Sequence, residues 1–357
     1  MSAANSRDSG WEMGDGSMVK IALVGAGGMG SMHAGCYADI PNATLVGVYD
    51  TRLSAAEELA GKHGARAYAD FDAMLSESGA DVVDVCCPTP WHEEYVCRAA
   101  ARAAEVGLRG IAVEKPMART VAECEKMTAA CGAAGVPLFI AHVVRFSPEF
   151  ALAKRQVESG AVGAPAAVRT RRGGAMPRGW NDWFANIEMS GGCILDLMVH
   201  DFDWMRWTFG EVERVFAKGL ADTRLPQFDY ALVTLRFASG AIGHVEGTWA
   251  DPGGFKVAIE VAGDKGLLEY NFNQPTAAPF QAALLGDAGP RSGVALPESP
   301  IAVSPYLAEL KHFVDCIEQG VQPSITPEDG TAAVRIACAA LESIETGRTV
   351  TLSEFSE

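Results

Sequence analysis

The sequence predicts an α/β protein of two domains: a doubly wound parallel sheet, then an α/β domain built on an antiparallel sheet. Three observations carry this. The chain has 357 residues, more than one ordinary hydrophobic core accommodates. Residues 19–144 alternate short apolar runs with helical segments, and the runs lack polar alternation, as in strands buried on both faces. Beyond residue 144 the strand-like segments are longer and alternate apolar with polar, the pattern of a sheet with one covered face.

The elements follow in order. Val19–Val24 is a β-branched strand, and Gly28–Tyr37 a helix of small residues. Ala43–Tyr49 and Leu53–Lys62 repeat the unit; a weak strand near Ala65–Tyr68 leads to the short helix Phe71–Ser76. Val82–Cys86, Trp91–Val106, Ile111–Val113, Val121–Ala134 and Pro137–Ala141 complete the alternation. Right-handed crossovers wind such a series into a sheet with helices on both faces. In the second half Ala166–Arg172, Tyr230–Phe237, Ala241–Trp249 and Lys256–Val261 read as strands, with Gly240 supplying positive φ in a hairpin turn. Gly191–Phe209 reads as one helix, Phe272–Pro300 as a long loop, and Pro305–Glu318 and Pro327–Thr346 as closing helices. The expected division is a disordered leader over 1–18, a first domain over 19–144 and a second over 145–357.

Hydrophobic residues make up 48% and charged residues 21%, as in folded globular chains, so large-scale disorder is not expected. The formal net charge of −16 argues against nucleic acid, whose binding requires neutralised phosphates, and against anionic membrane surfaces. Nine scattered cysteines with no Cys-x-x-Cys pair suggest reduced thiols, hence the cytoplasm, and give a zinc site no support. No apolar stretch is long enough to span a bilayer, and the polar N-terminus lacks a secretory core.

Gly25-Ala26-Gly27-Gly28-Met29-Gly30 follows the first strand and opens the first helix, and Asp50 ends the next strand twenty residues past Gly30. This is the context that turns a glycine-rich turn into a dinucleotide fingerprint of Rossmann type. Gly25 permits the tight turn, Gly27 lets backbone approach a pyrophosphate, and Gly30 lets helix pack on strand. The helix N-terminus offers unpaired N–H groups to phosphate. The Asp50 carboxylate accepts from ribose hydroxyls and repels a 2′-phosphate, which favours NAD; Arg52, two residues on, keeps NADP use open. The cofactor set is Gly25, Gly27, Gly28, Met29 and Gly30, then Asp50, Thr51 and Arg52, then Cys87, Pro88, Thr89 and His92 after the fourth strand, and Glu114 and Lys115 after the fifth. Ligands gather at these carboxyl ends.

Asp196, His200 and Asp203 stand at i, i+4 and i+7 in Gly191–Phe209, so one helix face is expected to carry all three. With the fingerprint, Pro90-Trp91-His92, Glu114-Lys115-Pro116, Arg145-Phe146 and Gly191-Gly192, the sequence from Val19 to Leu352 resembles the glucose–fructose oxidoreductase / inositol dehydrogenase / MocA family. Gly330, Ala339-Ala340, Ser343 and Thr346-Gly347-Arg348 are also family-like. The resemblance implies a Rossmann domain followed by an α/β domain with an open, largely antiparallel sheet that forms the interface of a homodimer or homotetramer. It implies Lys115, Asp196 and His200 as catalytic residues and a sugar or cyclitol substrate of the inositol 2-dehydrogenase kind. Cys193, where many members have a third glycine, is a departure that leaves the catalytic spacing intact.

Oxidising a secondary alcohol requires removal of the hydroxyl proton as hydride leaves carbon. His200 is the natural general base, since imidazole titrates near neutrality. Asp196 would orient it or bind a neighbouring hydroxyl, and Lys115 would stabilise the developing alkoxide. Glu114 is expected to fix Lys115 or its loop. His142, Arg145 and Trp183 join Lys115, Asp196 and His200 as the substrate set, with packing an open alternative for His142 and Trp183 and a carboxylate tie between domains for Arg145. Trp204 and Trp207 read as core by default. Asp196, His200 and Asp203 do not make a convincing ligand set, so no metal is expected. The primary reading is an NAD-dependent polyol or sugar dehydrogenase. The alternatives are an NAD-retaining glycosidase that oxidises a ring carbon transiently, and a non-catalytic cofactor-bound sensor.

Overall fold

A computed structural model describes residues 18–177, 179–220, 229–251, 255–271 and 304–355. The expected leader, apart from Met18, and the Phe272–Pro300 loop lie outside the described residues.

The first half runs β1 (Val19–Val24), α1 (Gly28–Ala38), β2 (Ala43–Tyr49), α2 (Leu53–His63), β3 (Arg66–Tyr68), α3 (Phe71–Glu77), β4 (Val82–Val85), α4 (His92–Val106), β5 (Gly110–Glu114), α5 (Val121–Ala134) and β6 (Leu138–Ala141). All six strands are parallel, in the order β3-β2-β1-β4-β5-β6. Every residue of β4, β5 and β6 is buried, which is why these strands read as unbroken apolar runs. The order reverses between β1 and β4, and a crevice opens there at the carboxyl ends. Helix α5 starts on a capping box of Thr120 and Glu123.

The second half adds α6 (Pro148–Glu158), β7 (Pro165–Gly173), α7 (Ile187–Ser190), α8 (Gly192–Asp196), α9 (Val199–Phe209), β8 (Val212–Gly219), β9 (Tyr230–Phe237), β10 (Ile242–Thr248), β11 (Lys256–Gly263), β12 (Leu267–Asn271), α10 (Pro305–Gln319), α11 (Pro327–Thr346) and β13 (Val350–Thr351). Its seven strands lie in the order β12-β11-β7-β10-β9-β8-β13, antiparallel except for the β7–β10 pair. Ala231, Val233, Leu235 and Phe237 alternate inward along β9, facing the core that α9 and α11 cover. Gly240 turns the β9–β10 hairpin at φ 89°, as expected.

Two features differ from the sequence expectation. Gly191–Phe209 is not one helix: α8 ends at Asp196, and the Met198 N–H bonds back to the Cys193 carbonyl, a five-residue step that widens the turn before α9 begins. In addition, α10 crosses back to the first sheet, although it falls in the range expected for the second domain. It packs on α1 and β1, Phe313 stacks on Phe139 with centroids 4.9 Å apart, and Arg109 donates to the Ile317 carbonyl at 2.6 Å.

Candidate active site

The cleft begins at the fingerprint turn. Gly25 adopts φ 100°, a left-handed value that favours glycine, and a Cβ there would fall 2.8 Å from the Cys86 carbonyl oxygen. A Cβ on Gly30 would come within 1.9 Å of the Gly25 carbonyl oxygen, so the turn cannot close on its helix with any larger residue. Cβ positions on Gly27 and Gly28 meet only open space, and α1 starts without a capping side chain. The first-turn N–H groups and the room in front of them suit a pyrophosphate. Asp50 is held at the end of β2 by the N–H groups of Ala26 (2.9 Å) and Arg52 (2.8 Å), its carboxylate beside the cleft. The Arg52 guanidinium folds back onto it at 3.3 Å. These residues fit a dinucleotide.

The cleft has a volume of about 750 Å³. Gly25, Gly27, Gly28, Met29, Asp50, Thr51, Arg52, Cys87, Pro88, Thr89, His92, Glu114, Lys115, Trp183, Asp196 and His200 all line it. Gly30, His142 and Arg145 do not. Gly30 acts through packing. His142 is buried, with neither ring nitrogen finding a partner among the described residues, and burial lowers its pKa. Arg145 donates to both oxygens of Asp203 (2.8 and 2.5 Å) and to Asp329 on α11 (3.2 Å), and Arg206 donates to Asp329 at 2.7 Å. Arg145 therefore joins the end of the first unit to α9 and α11, and its guanidinium is engaged away from the cleft. The expectation that it binds substrate gives way to the other reading, the tie between domains.

Lys115 follows β5 and precedes a cis bond to Pro116. Its Nζ donates to the Asp196 backbone carbonyl at 2.8 Å and lies 3.3 Å from Asp196 Oδ1. Glu114 Oε2 accepts the Lys115 N–H at 2.9 Å, so Glu114 does hold the Lys115 backbone. His92 spans two loops, its Nε2 2.8 Å from the Cys87 carbonyl and its Nδ1 3.1 Å from that of Pro116. Asp196 and His200 both reach the cleft, but from two helices and across the widened turn. Asp203 does not share their face; it turns to Arg145. Asp196 contacts Lys115, whereas His200 Nδ1 has no partner among the described residues. Burial raises the Asp196 pKa against the opposing pull of Lys115. Burial, then the charges of Lys115 and Arg172, lower His200 well below the ordinary imidazole value, leaving it a neutral proton acceptor.

The structure also adds cleft residues that the sequence did not single out: Trp180, Phe184, Trp249, Phe255 and Tyr306. Trp183 and Phe184 lie with ring centroids 4.0 Å apart. Trp204 is core, as expected, its Nε1 donating to the Phe150 carbonyl at 3.1 Å. Trp207 is partly buried, with Arg145 and Lys154 over its ring. Cys193 is fully buried, with its N–H on Asp229 at 2.5 Å.

Known proteins share this arrangement. Residues 19–142 match the oxidoreductase family with an NAD-binding Rossmann fold, and residues 150–269 match the GFO/IDH/MocA C-terminal domain. Myo-inositol 2-dehydrogenase of Thermotoga maritima is 34% identical over 94% of this chain and 99% of its own. The scyllo-inositol 2-dehydrogenase (NAD(+)) of Bacillus subtilis is 29% identical over 94% and 96%. The crystal structure of GenD2 from gentamicin A biosynthesis in complex with NAD aligns at a TM-score of 0.80 and 27% identity, covering 94% of this chain and 96% of that one. With the fingerprint, the Lys115 turn and the mixed sheet in place, the chain belongs to the GFO/IDH/MocA oxidoreductases and binds NAD through a Rossmann domain.

Proposed function

We propose that this chain oxidises a secondary carbinol of a sugar, cyclitol or related polyol. The observation that carries the reading is the meeting of Lys115, Asp196 and a neutral His200 in the same cleft as the dinucleotide turn. Bound NAD supplies the hydride acceptor. Gly25, Gly27 and Gly28 seat its pyrophosphate, and Asp50 takes the ribose hydroxyls and disfavours a 2′-phosphate. His200 accepts the hydroxyl proton. The Lys115 ammonium, aimed by Asp196, stabilises the alkoxide that develops on the same oxygen. An orienting contact from Asp196 to His200 is not part of this reading, since Asp196 holds Lys115 instead.

The substrate end of the cleft favours a neutral ring. Trp180, Trp183, Phe184, Trp249 and Phe255 offer apolar faces to C–H groups, and apart from Arg52, which is paired with Asp50, Lys115 is the one Lys or Arg lining the cleft among the described residues. Relatives named for myo-inositol and scyllo-inositol support a cyclitol. The test is a panel of inositols, aldoses and aryl glycosides with NAD, followed by absorbance of reduced cofactor. Net NADH from a free polyol is expected. Glycoside cleavage without net NADH, or no turnover across the panel, would overturn the reading. Lys115→Ala should lower kcat by about 10²–10³ while NAD still binds, because the fingerprint is untouched.

The assembly expected from the family resemblance is a homodimer or homotetramer built on the open sheet face. That face carries the cross-strand pairs Arg169–Glu260 (2.8 Å) and Arg171–Glu246 (3.2 Å) beside exposed Leu232, so it is mixed rather than apolar. Among the described residues no helix is long and apolar enough to cross a membrane. A reducing compartment such as the cytoplasm is consistent with nine cysteines in the sequence, none of them in a disulfide in the structure.

A further inference from the structure

A second cluster of titratable groups lies outside the cleft, beneath the fingerprint helix. His33, on α1, is fully buried. Its Nδ1 lies 2.8 Å from Asp84 Oδ2 on β4, and its Nε2 lies 3.1 Å from Glu114 Oε1 at the end of β5. A carboxyl group at each nitrogen suits a ring that donates from both, the imidazolium form. Burial opposes that charge, but Cys86 and Asp84 outweigh it and raise His33 well above its ordinary value. The Tyr37 hydroxyl donates to the same Asp84 oxygen at 2.9 Å, which fixes the far side of the bridge.

Glu114 is the link outward. Its Oε1 faces His33, and its Oε2 accepts the Lys115 N–H at 2.9 Å. With both oxygens engaged, the peptide that launches Lys115 is held from below while its Nζ meets Asp196 above. His33 does not line the cleft; it touches two residues that do, Cys86, whose Sγ lies 3.2 Å from Nδ1, and Glu114, and of these Glu114 is the one bonded to the Lys115 backbone. A single-nitrogen contact would merely satisfy a buried ring. A ring held between two carboxyl groups, one bonded to the backbone of the catalytic lysine, transmits position.

We propose that His33 is a positioning residue for the reaction: from α1, through Glu114, it fixes the backbone of Lys115 and aims the ammonium into the cleft. The same helix opens with the dinucleotide turn, so one element sets both the pyrophosphate seat and the lysine. The proposal rests on the reading of Lys115 as the group that acts on the reacting oxygen.

The test uses the full chain with two readouts. Acetylation of Lys115 by limiting acetic anhydride, followed by peptide mass spectrometry, reports whether its Nζ is still held. Steady-state kinetics with myo-inositol and NAD report the consequence. His33→Leu is expected to speed Lys115 acetylation several-fold relative to surface lysines, and to lower kcat by about 10², the cost of a displaced catalytic group. KM for NAD should stay near the wild-type value. His33→Gln, which still donates to Glu114, should recover part of the loss. In Glu114→Leu the His33→Leu change should cost little more, because the path is already cut. Unchanged acetylation with retained kcat in folded His33→Leu would overturn the proposal, as would fully additive losses in the double variant. If His33→Leu does not fold, Glu114→Leu decides through acetylation alone, and an unaltered rate there overturns it. Retained turnover in Lys115→Ala would instead sink the functional reading, while the acetylation readout would still judge the positioning.

Discussion

His200 shows how a residue's setting decides its chemistry. Burial and the Lys115 and Arg172 charges depress its pKa, so the neutral base persists through neutrality and protonates only on the acid side of the ordinary 6.5. The kcat/KM for oxidation should therefore be insensitive to His200 through neutrality and fall only well below pH 6.5, as the depressed pKa is crossed. His200→Asn should lose that acid limb and about 10²–10⁴ in rate, which a pH–rate profile reads directly. A limb that survives in the variant assigns the proton elsewhere. At the other end of the cleft, Asp50→Ser removes a carboxylate held beside the ribose site and should raise the NADP/NAD ratio of kcat/KM by about 10-fold or more. Asp50 was legible from its place at the end of the second strand behind the fingerprint, whereas Lys115, Asp196 and His200 were singled out through the family resemblance, and the structure brings all four to one cleft. The sequence did not reveal Trp180, Phe184, Trp249, Phe255 or Tyr306, which come from separate segments and differ in no local pattern from core aromatics. Nor did it decide Arg145, since a cation cannot declare from sequence whether it meets substrate or carboxylate.

Among the elements, the strands of the parallel sheet were legible almost to the residue, because burial on both faces leaves an unbroken apolar run. The segment Gly191–Phe209 was not. Its composition suits a continuous helix, and the five-residue bond from Met198 to Cys193 depends on packing that no periodicity encodes. Helix α6 carried a readable start, Ser147 before Pro148 at the first helical position, that the apolar pattern alone passed over. The join between elements rests on Arg145, Asp203, Asp329 and Arg206. Burial opposes charge on Asp329, but Arg145 and Arg206 hold its pKa below the usual value. Its contribution to stability is thus present above the unfolded carboxylate pKa and is lost as pH falls through the folded one. Arg145→Met strands the buried Asp203 carboxylate and should cost about 3–5 kcal/mol in a urea melt at neutral pH. Asp203→Asn with an unchanged melt would show that the pair does not carry the join. By contrast, Gly30→Ala drives a Cβ into the Gly25 carbonyl and should weaken NADH binding in a fluorescence titration, because the seat of the pyrophosphate is what moves.

At the scale of the whole molecule, the two sheets divide the work: the parallel one seats the cofactor, and the mixed one presents an open face. That face is concave, a groove of about 360 Å³ bordered by Arg169, Arg171, Leu232, His244, Glu246 and Glu260. Strand alternation in the sequence predicted a one-sided sheet but not what its outer side would offer, since the register that pairs Arg171 with Glu246 and Arg169 with Glu260 is set only when β7, β10 and β11 come together. Both signs of charge alternate there around Leu232, which is 42% exposed. A two-fold axis through such a surface can set each arginine against a glutamate of the other copy while the leucines meet, the self-complementarity that an isologous interface needs. Light scattering at micromolar concentration should therefore find a dimer or a tetramer. Leu232→Glu adds a buried carboxylate at the interface centre and should shift the population toward monomer while NADH binding, housed in the other sheet, is retained. Raising the salt concentration should loosen the wild-type assembly as well, because ion pairs at the rim are screened within about 10 Å at 0.1 M. A wild-type monomer would refute the interface outright. An oligomer indifferent to both Leu232→Glu and salt would move the contact to another face.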